Sequence, residues 1–69
     1  MMLVLQGCEV HGDNLLAEHN ATNRVGCVER CYQHDRCQQW TWWADSQRCQ
    51  LFSVCSAHVQ CQDCLRGDR

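Results

Sequence analysis

Cys27-Val28-Glu29-Arg30-Cys31, then Cys37-Gln38-Gln39-Trp40-Thr41-Trp42-Trp43, then Cys49-Gln50-Leu51 decide how this chain folds. Two cysteines four residues apart lie on one face of a helix. Side chains alternate along a strand, so Trp40 and Trp42 share one face of their strand, as do Cys49 and Leu51 of theirs. The pattern is that of a short helix held by sulfur across a two-stranded ribbon.

Asn23 is placed to cap a helix over residues 24–33, its side-chain oxygen accepting from an early backbone N–H. On a helical wheel Cys27, Cys31, Val28, Tyr32 and Val25 fall on the inward half, and Glu29, Arg30, Gln33 and Gly26 on the outward half. A helix of this length is marginal in water alone, and Gly26 weakens it by about 1 kcal/mol relative to Ala. His34-Asp35-Arg36 reads as a turn that brings Cys37 back toward Cys31 at the helix end. Residues 38–43 form the central strand, Ala44 to Arg48 a polar connection of hairpin type, and Cys49 to Phe52 the returning strand.

These residues resemble the PAN/Apple domain family. Its pattern is a helix bearing Cys-x-x-x-Cys, a third cysteine after a short turn, a strand with alternating aromatics, and a cysteine followed two residues later by an aliphatic. Here those positions are Cys27, Cys31, Cys37, Trp40, Trp42, Cys49 and Leu51, with Gly12-Asp13-Asn14-Leu15 similar to the family's early glycine-led strand. The resemblance spans residues 7–52 and implies an α+β fold, one short helix packed on an antiparallel sheet. It also implies that Cys27 pairs with Cys49 and Cys31 with Cys37, and strand pairing puts Cys49 under the helix within reach of Cys27. Spacing alone leaves 105 connectivities for eight cysteines. In apple-type members an early cysteine pairs with a late one, which here ties Cys8 to Cys61 or Cys64 and leaves Cys55 with the other.

At 69 residues the chain is one module, with core 7–52 and a cysteine-containing tail over 53–69 in which no closing strand is legible. Domains this small rarely bury enough apolar surface to stand unaided. The 45% hydrophobic content includes the eight Cys, so bridges must supply part of the stability. Disulfides place the chain in an oxidising compartment, secreted or extracellular. Residues 1–5 lack the basic start and longer apolar stretch of a secretory signal, so the expectation is a module of a longer secreted chain. The net charge is −2 and all six cations are Arg, with no basic cluster to mark a nucleic-acid partner. No apolar run approaches the ~20 residues of a membrane-inserting helix.

Met1 to Val10 reads as a first strand. Leu5-Gln6-Gly7-Cys8 faintly resembles a lipoprotein processing site, but lipidation of Cys8 would leave an unpaired thiol among the other seven. After the turn-prone Gly12-Asp13-Asn14, Leu15-Leu16-Ala17 fits a strand or a loose helical turn. Asn20-Ala21-Thr22 is an N-glycosylation sequon in a polar stretch before the helix.

Three catalytic or metal arrangements compete with a purely structural use of the tail. Cys61-Gln62-Asp63-Cys64 has the spacing of thiol oxidoreductases but not their βαβ setting. Cys55, His58, Cys61 and Cys64 have the chemistry of a tetrahedral zinc site, provided the thiols escape oxidation. Ser56 and His58 lie close in sequence, without the oriented base and cleft a triad needs. The expectation is therefore a non-catalytic module without metal or cofactor. What the resemblance implies is recognition of an extracellular protein or glycan. The alternatives are a free-standing disulfide-rich secreted peptide, such as a toxin, effector or inhibitor, and a small zinc-binding domain. Trp43, set by alternation on the face opposite Trp40 and Trp42, and Arg48 beside it are the candidate ligand-binding pair, because Trp and Arg are enriched at binding hot spots.

Overall fold

A computed structural model of the protein describes residues 5–69. It is a small α+β domain: β1 (Leu5–Cys8), β2 (Leu15–Asn20), α1 (Arg24–Gln33), β3 (Gln39–Trp43), β4 (Arg48–Phe52), β5 (His58–Cys61) and β6 (Cys64–Asp68). The first strand is shorter than residues 1–10, and Met1 to Val4 of that expectation lie outside the described residues. Every strand pairing is antiparallel. One sheet has the order β2-β4-β3-β6, and β1 and β5 form a separate two-stranded ribbon.

The helix begins where its capping chemistry dictates. Asn23 is extended and its Oδ1 accepts the Gly26 N–H at 3.0 Å. At the other end the Arg69 guanidinium donates to the carbonyls of Tyr32, His34, Asp35 and Cys37, over 3.1–3.4 Å. A helix C-terminus leaves carbonyls without intrahelical partners, and a cation there also meets the negative end of the dipole. A residue from the far end of the sequence thus closes the helix.

Cys27 and Cys31 are buried under the helix with Trp40, Cys49 and Leu51, and Leu16, Ala17, Val28, Trp42 and Leu65 pack around them. The wheel overstated the inward face, since Val25 and Tyr32 are 57% and 60% exposed. At 3.6 residues per turn they sit roughly 120–140° from the midline of the two cysteines, so both belong to the outward half of the helix rather than the inward one. On β2 the register slips between Leu15 and Ala17. A bulge of this kind spoils period two, which is why Leu15-Leu16-Ala17 did not alternate in sequence.

All eight cysteines are bonded in pairs. Cys27 joins Cys49 and Cys31 joins Cys37. The other two bridges differ from the pairing that the family resemblance implies: Cys8 joins Cys55, and Cys61 joins Cys64. The physical reason lies in the tail, which is not loose. It runs back as β5 beside β1, so that Cys8 stands opposite His58 and close to Cys55, while Cys61 and Cys64 flank the short connection from β5 to β6.

The closing strand that could not be read in residues 53–69 is β6, and it pairs along the whole of β3, from Gln39 opposite Asp68 to Trp43 opposite Cys64. The β1–β5 ribbon lies over the sheet face away from the helix. There the Cys8 N–H donates to the buried Thr41 Oγ1 at 3.0 Å, and a Cβ added to Gly7 would stand 2.9 Å from Thr41 Cγ2 and 3.3 Å from Trp43 Cζ2. Only glycine allows the ribbon to lie that close. Asn14, buried, ties the ribbon's end to the sheet by accepting from the His11 N–H and donating to the carbonyls of Glu9 and Val54.

Candidate functional site

The face of the four-stranded sheet opposite the helix carries the one polar constellation that sequence reasoning pointed to, through Trp43 and Arg48. Directly opposite residues of an antiparallel pair project to the same side. The register therefore sets out two rows across the strands: Asn20, Arg48, Trp43 and Cys64, then Glu18, Gln50, Thr41 and Arg66. Trp43 and Arg48 do lie side by side on this face. They do not share its exposure.

Trp43 is half-buried, because β1 crosses its outer edge at Gly7. Its indole N–H is already engaged, donating to Gln50 Oε1 at 2.9 Å, and Gln50 Nε2 donates in turn to Glu18 Oε1 at 3.0 Å. An indole bonded within the fold has no donor left for a ligand, so Trp43 serves as wall and orienting group. Gln50, itself buried, passes that order on to the Glu18 carboxylate. Sequence reasoning missed both Glu18 and Gln50. Their signal was the alternation along β4, which puts Gln50 on the same face as Arg48, and the pairing of β2 beside it.

The ribbon covers the β3 and β6 side of this face and leaves the β2 and β4 side open. A shallow concavity remains there, lined by Glu18, His19, Asn20, Ser46, Gln47 and Arg48. Its shape is fixed by the hairpin over residues 44–47. Gln47 sits at φ 54°, in the left-handed region, and its carbonyl accepts the Ala21 N–H at 2.9 Å. On the other side of the sheet the Ala21 carbonyl accepts from Trp42 Nε1 at 2.8 Å. The segment carrying Asn20 is thereby held from both sides. A carboxylate with one oxygen held in place, an exposed guanidinium and the amides of Asn20 and Gln47 offer donors and acceptors to a polar partner over a rigid base.

The tail chemistry resolves differently from the zinc alternative. The sulfurs of Cys55, Cys61 and Cys64 are each bonded to another sulfur, which leaves no thiolate to meet a metal beside His58. Among the described residues no group of three or more His, Cys, Asp or Glu side chains is placed to hold a metal ion. Ser56 and His58 are both exposed at the entry to β5. No helix among the described residues is long and apolar enough to cross a membrane.

Comparison with known proteins finds no matching family model, no similar curated protein and no similar solved structure.

Proposed function

We propose that this chain is a non-catalytic extracellular recognition module of PAN/Apple type, which binds a protein or glycan partner through the open half of its second sheet face. The observation that carries this reading is the row in which Trp43 holds Gln50 and Gln50 holds Glu18, beside an exposed Arg48. Preorganised polar groups lose less freedom on binding than mobile ones. The four disulfides add to the rigidity and fit an oxidising environment.

The test is a binding screen of the immobilised domain against a glycan array and a panel of extracellular matrix proteins, repeated with Arg48→Ala and Glu18→Ala. The reading expects saturable binding that falls about tenfold or more in both variants, the loss of an anchor worth ~1.4 kcal/mol or more, with melting unchanged. Binding that ignores both substitutions, or no binder in either panel, would count against it.

A second reading is a free-standing secreted peptide, such as a toxin, effector or inhibitor. It is favoured by the fact that all four bridges close within the chain, so the fold asks nothing of a neighbouring domain. The parent transcript discriminates the two, since a module has further domains beside it.

A further inference from the structure

Asn20 ends the edge strand β2, and it stands directly opposite Arg48. Asn20 and Thr22 are exposed, whereas Ala21 between them is 7% exposed and held at both its polar groups, by the Gln47 carbonyl and the Trp42 indole. The middle of the sequon is therefore anchored while its two chemically active side chains face outward. Because opposed residues share a face, whatever is attached to Asn20 leaves the sheet on the side of Arg48 and Trp43. Asn20 is part of the wall of the concavity that Glu18 and Arg48 line, and it also borders the hollow on the helix side that Arg30 lines, so the strand register is what directs the attachment toward Arg48.

We propose that an N-linked glycan on Asn20 masks the Glu18–Arg48 surface, so that the domain exists in a covered form and an open one. This rests on the reading of that surface as the recognition site. In the transfer, the Asn20 amide nitrogen bonds to the anomeric carbon of an oligosaccharide carried on a polyprenyl pyrophosphate. The bond from that carbon to the pyrophosphate oxygen breaks, the polyprenyl pyrophosphate departs with the electron pair, and the proton lost by the amide passes to solvent. With Ala21 fixed at its N–H and its carbonyl in the folded domain, transfer belongs to the chain before β2 docks on the hairpin. The choice between covered and open forms is then made at synthesis and kept.

The experiment follows the Arg48 guanidinium directly and needs no partner. The domain is secreted from a eukaryotic host, and p-hydroxyphenylglyoxal labelling of each arginine is timed by peptide mass spectrometry. The comparison is with Thr22→Ala, which lacks the sequon, and with the same glycoprotein trimmed by an endoglycosidase after folding. A bulky solubilising glycan over this face should slow labelling of Arg48 about fivefold, restored by trimming, with Arg36 unchanged and Arg30, which shares a hollow with Asn20, slowed less than Arg48. Absence of a glycosidase-sensitive mass overturns the proposal. So does an Arg48 rate equal in all three forms, protection of Arg36 along with Arg48, or protection of Arg30 equal to or greater than that of Arg48. Failure of the recognition reading shows separately, as binding that ignores Arg48→Ala in the unglycosylated form.

Discussion

A Cβ built on Gly67 would stand 2.6 Å from Cζ2 and 2.9 Å from Cε2 of Trp40, which lies opposite it in the β3–β6 register. The closing strand therefore fits only because it presents no side chain under the buried indole. Gly67→Ala should destabilise the domain by about 1–3 kcal/mol, the usual cost of overpacking. Trp40→Phe in the same chain should recover part of that loss by opening space. The measurement is a denaturant-melting double-mutant cycle, in which additive effects would show that the two residues do not press on one another.

Gly26 behaves in the opposite way. It lies in the first turn of α1, and a Cβ there would meet nothing nearer than Ala21 Cβ at 3.5 Å, ordinary contact. Gly26→Ala should raise stability by up to about 1 kcal/mol through helix propensity alone, the full interior value being an upper bound for a first-turn position. An unchanged melting temperature would mean that the sulfur bridges already hold the helix fully, leaving propensity nothing to add.

The helix, its Asn23 cap, the hairpin and the shared face of Trp40 and Trp42 were legible because each rests on a local period or a cap at fixed offset. What was not legible depends on contacts distant in sequence. β6 is an edge strand whose outward positions are Arg66 and Asp68, so it carries no apolar alternation, and its one telling residue, Gly67, makes sense only once Trp40 is known to lie over it. Likewise, placing Trp43 opposite the helix followed from period two. That its N–H is taken by Gln50 required knowing that β2, β4 and β3 lie side by side.

The bridges should differ in weight. Cys8–Cys55 closes 47 residues and Cys61–Cys64 only three. On the chain-entropy account the first contributes about 4 kcal/mol and the second about 2. The Cys8→Ser/Cys55→Ser double variant should lose roughly twice the stability of Cys61→Ser/Cys64→Ser, and should also loosen the ribbon from the sheet. Equal losses by chemical denaturation would place the energy in native packing around the sulfurs instead.

Arg69 is exposed, yet its guanidinium reaches four carbonyls around the end of α1. Arg69→Met keeps most of the stem and removes the charge and donors. It should cost about 0.5–1 kcal/mol at low salt, the range for a cation at an exposed helix C-terminus, and less as salt screens the dipole. Hydrogen exchange should quicken at residues 31–34 before anywhere else. A loss that is independent of salt would assign the effect to the neutral share of the four hydrogen bonds rather than to the charge, since the backbone bond from residue 69 to Gln38 survives the substitution.

Trp43 and Arg48 are neighbours on one face with different duties, and substitution should separate them. Trp43→Phe keeps an aromatic wall against Gly7 but removes the donor to Gln50, whose oxygen then lacks that partner in a buried setting. The expected cost is about 1 kcal/mol or somewhat more, because an unmet polar group loses its share of desolvation as well as the bond. The disorder should travel along the row, since Gln50 also steadies Glu18. Arg48 is exposed, so Arg48→Ala should change stability by no more than about 0.5 kcal/mol. If Arg48 anchors a partner, its replacement abolishes binding without touching the melt, whereas Trp43→Phe weakens both. A melt lowered equally by the two substitutions would make Arg48 part of the scaffold, and the recognition surface would then have to be sought beyond the Glu18–Arg48 concavity, at the second hollow where Arg30 and Gln33 line the outer side of the helix.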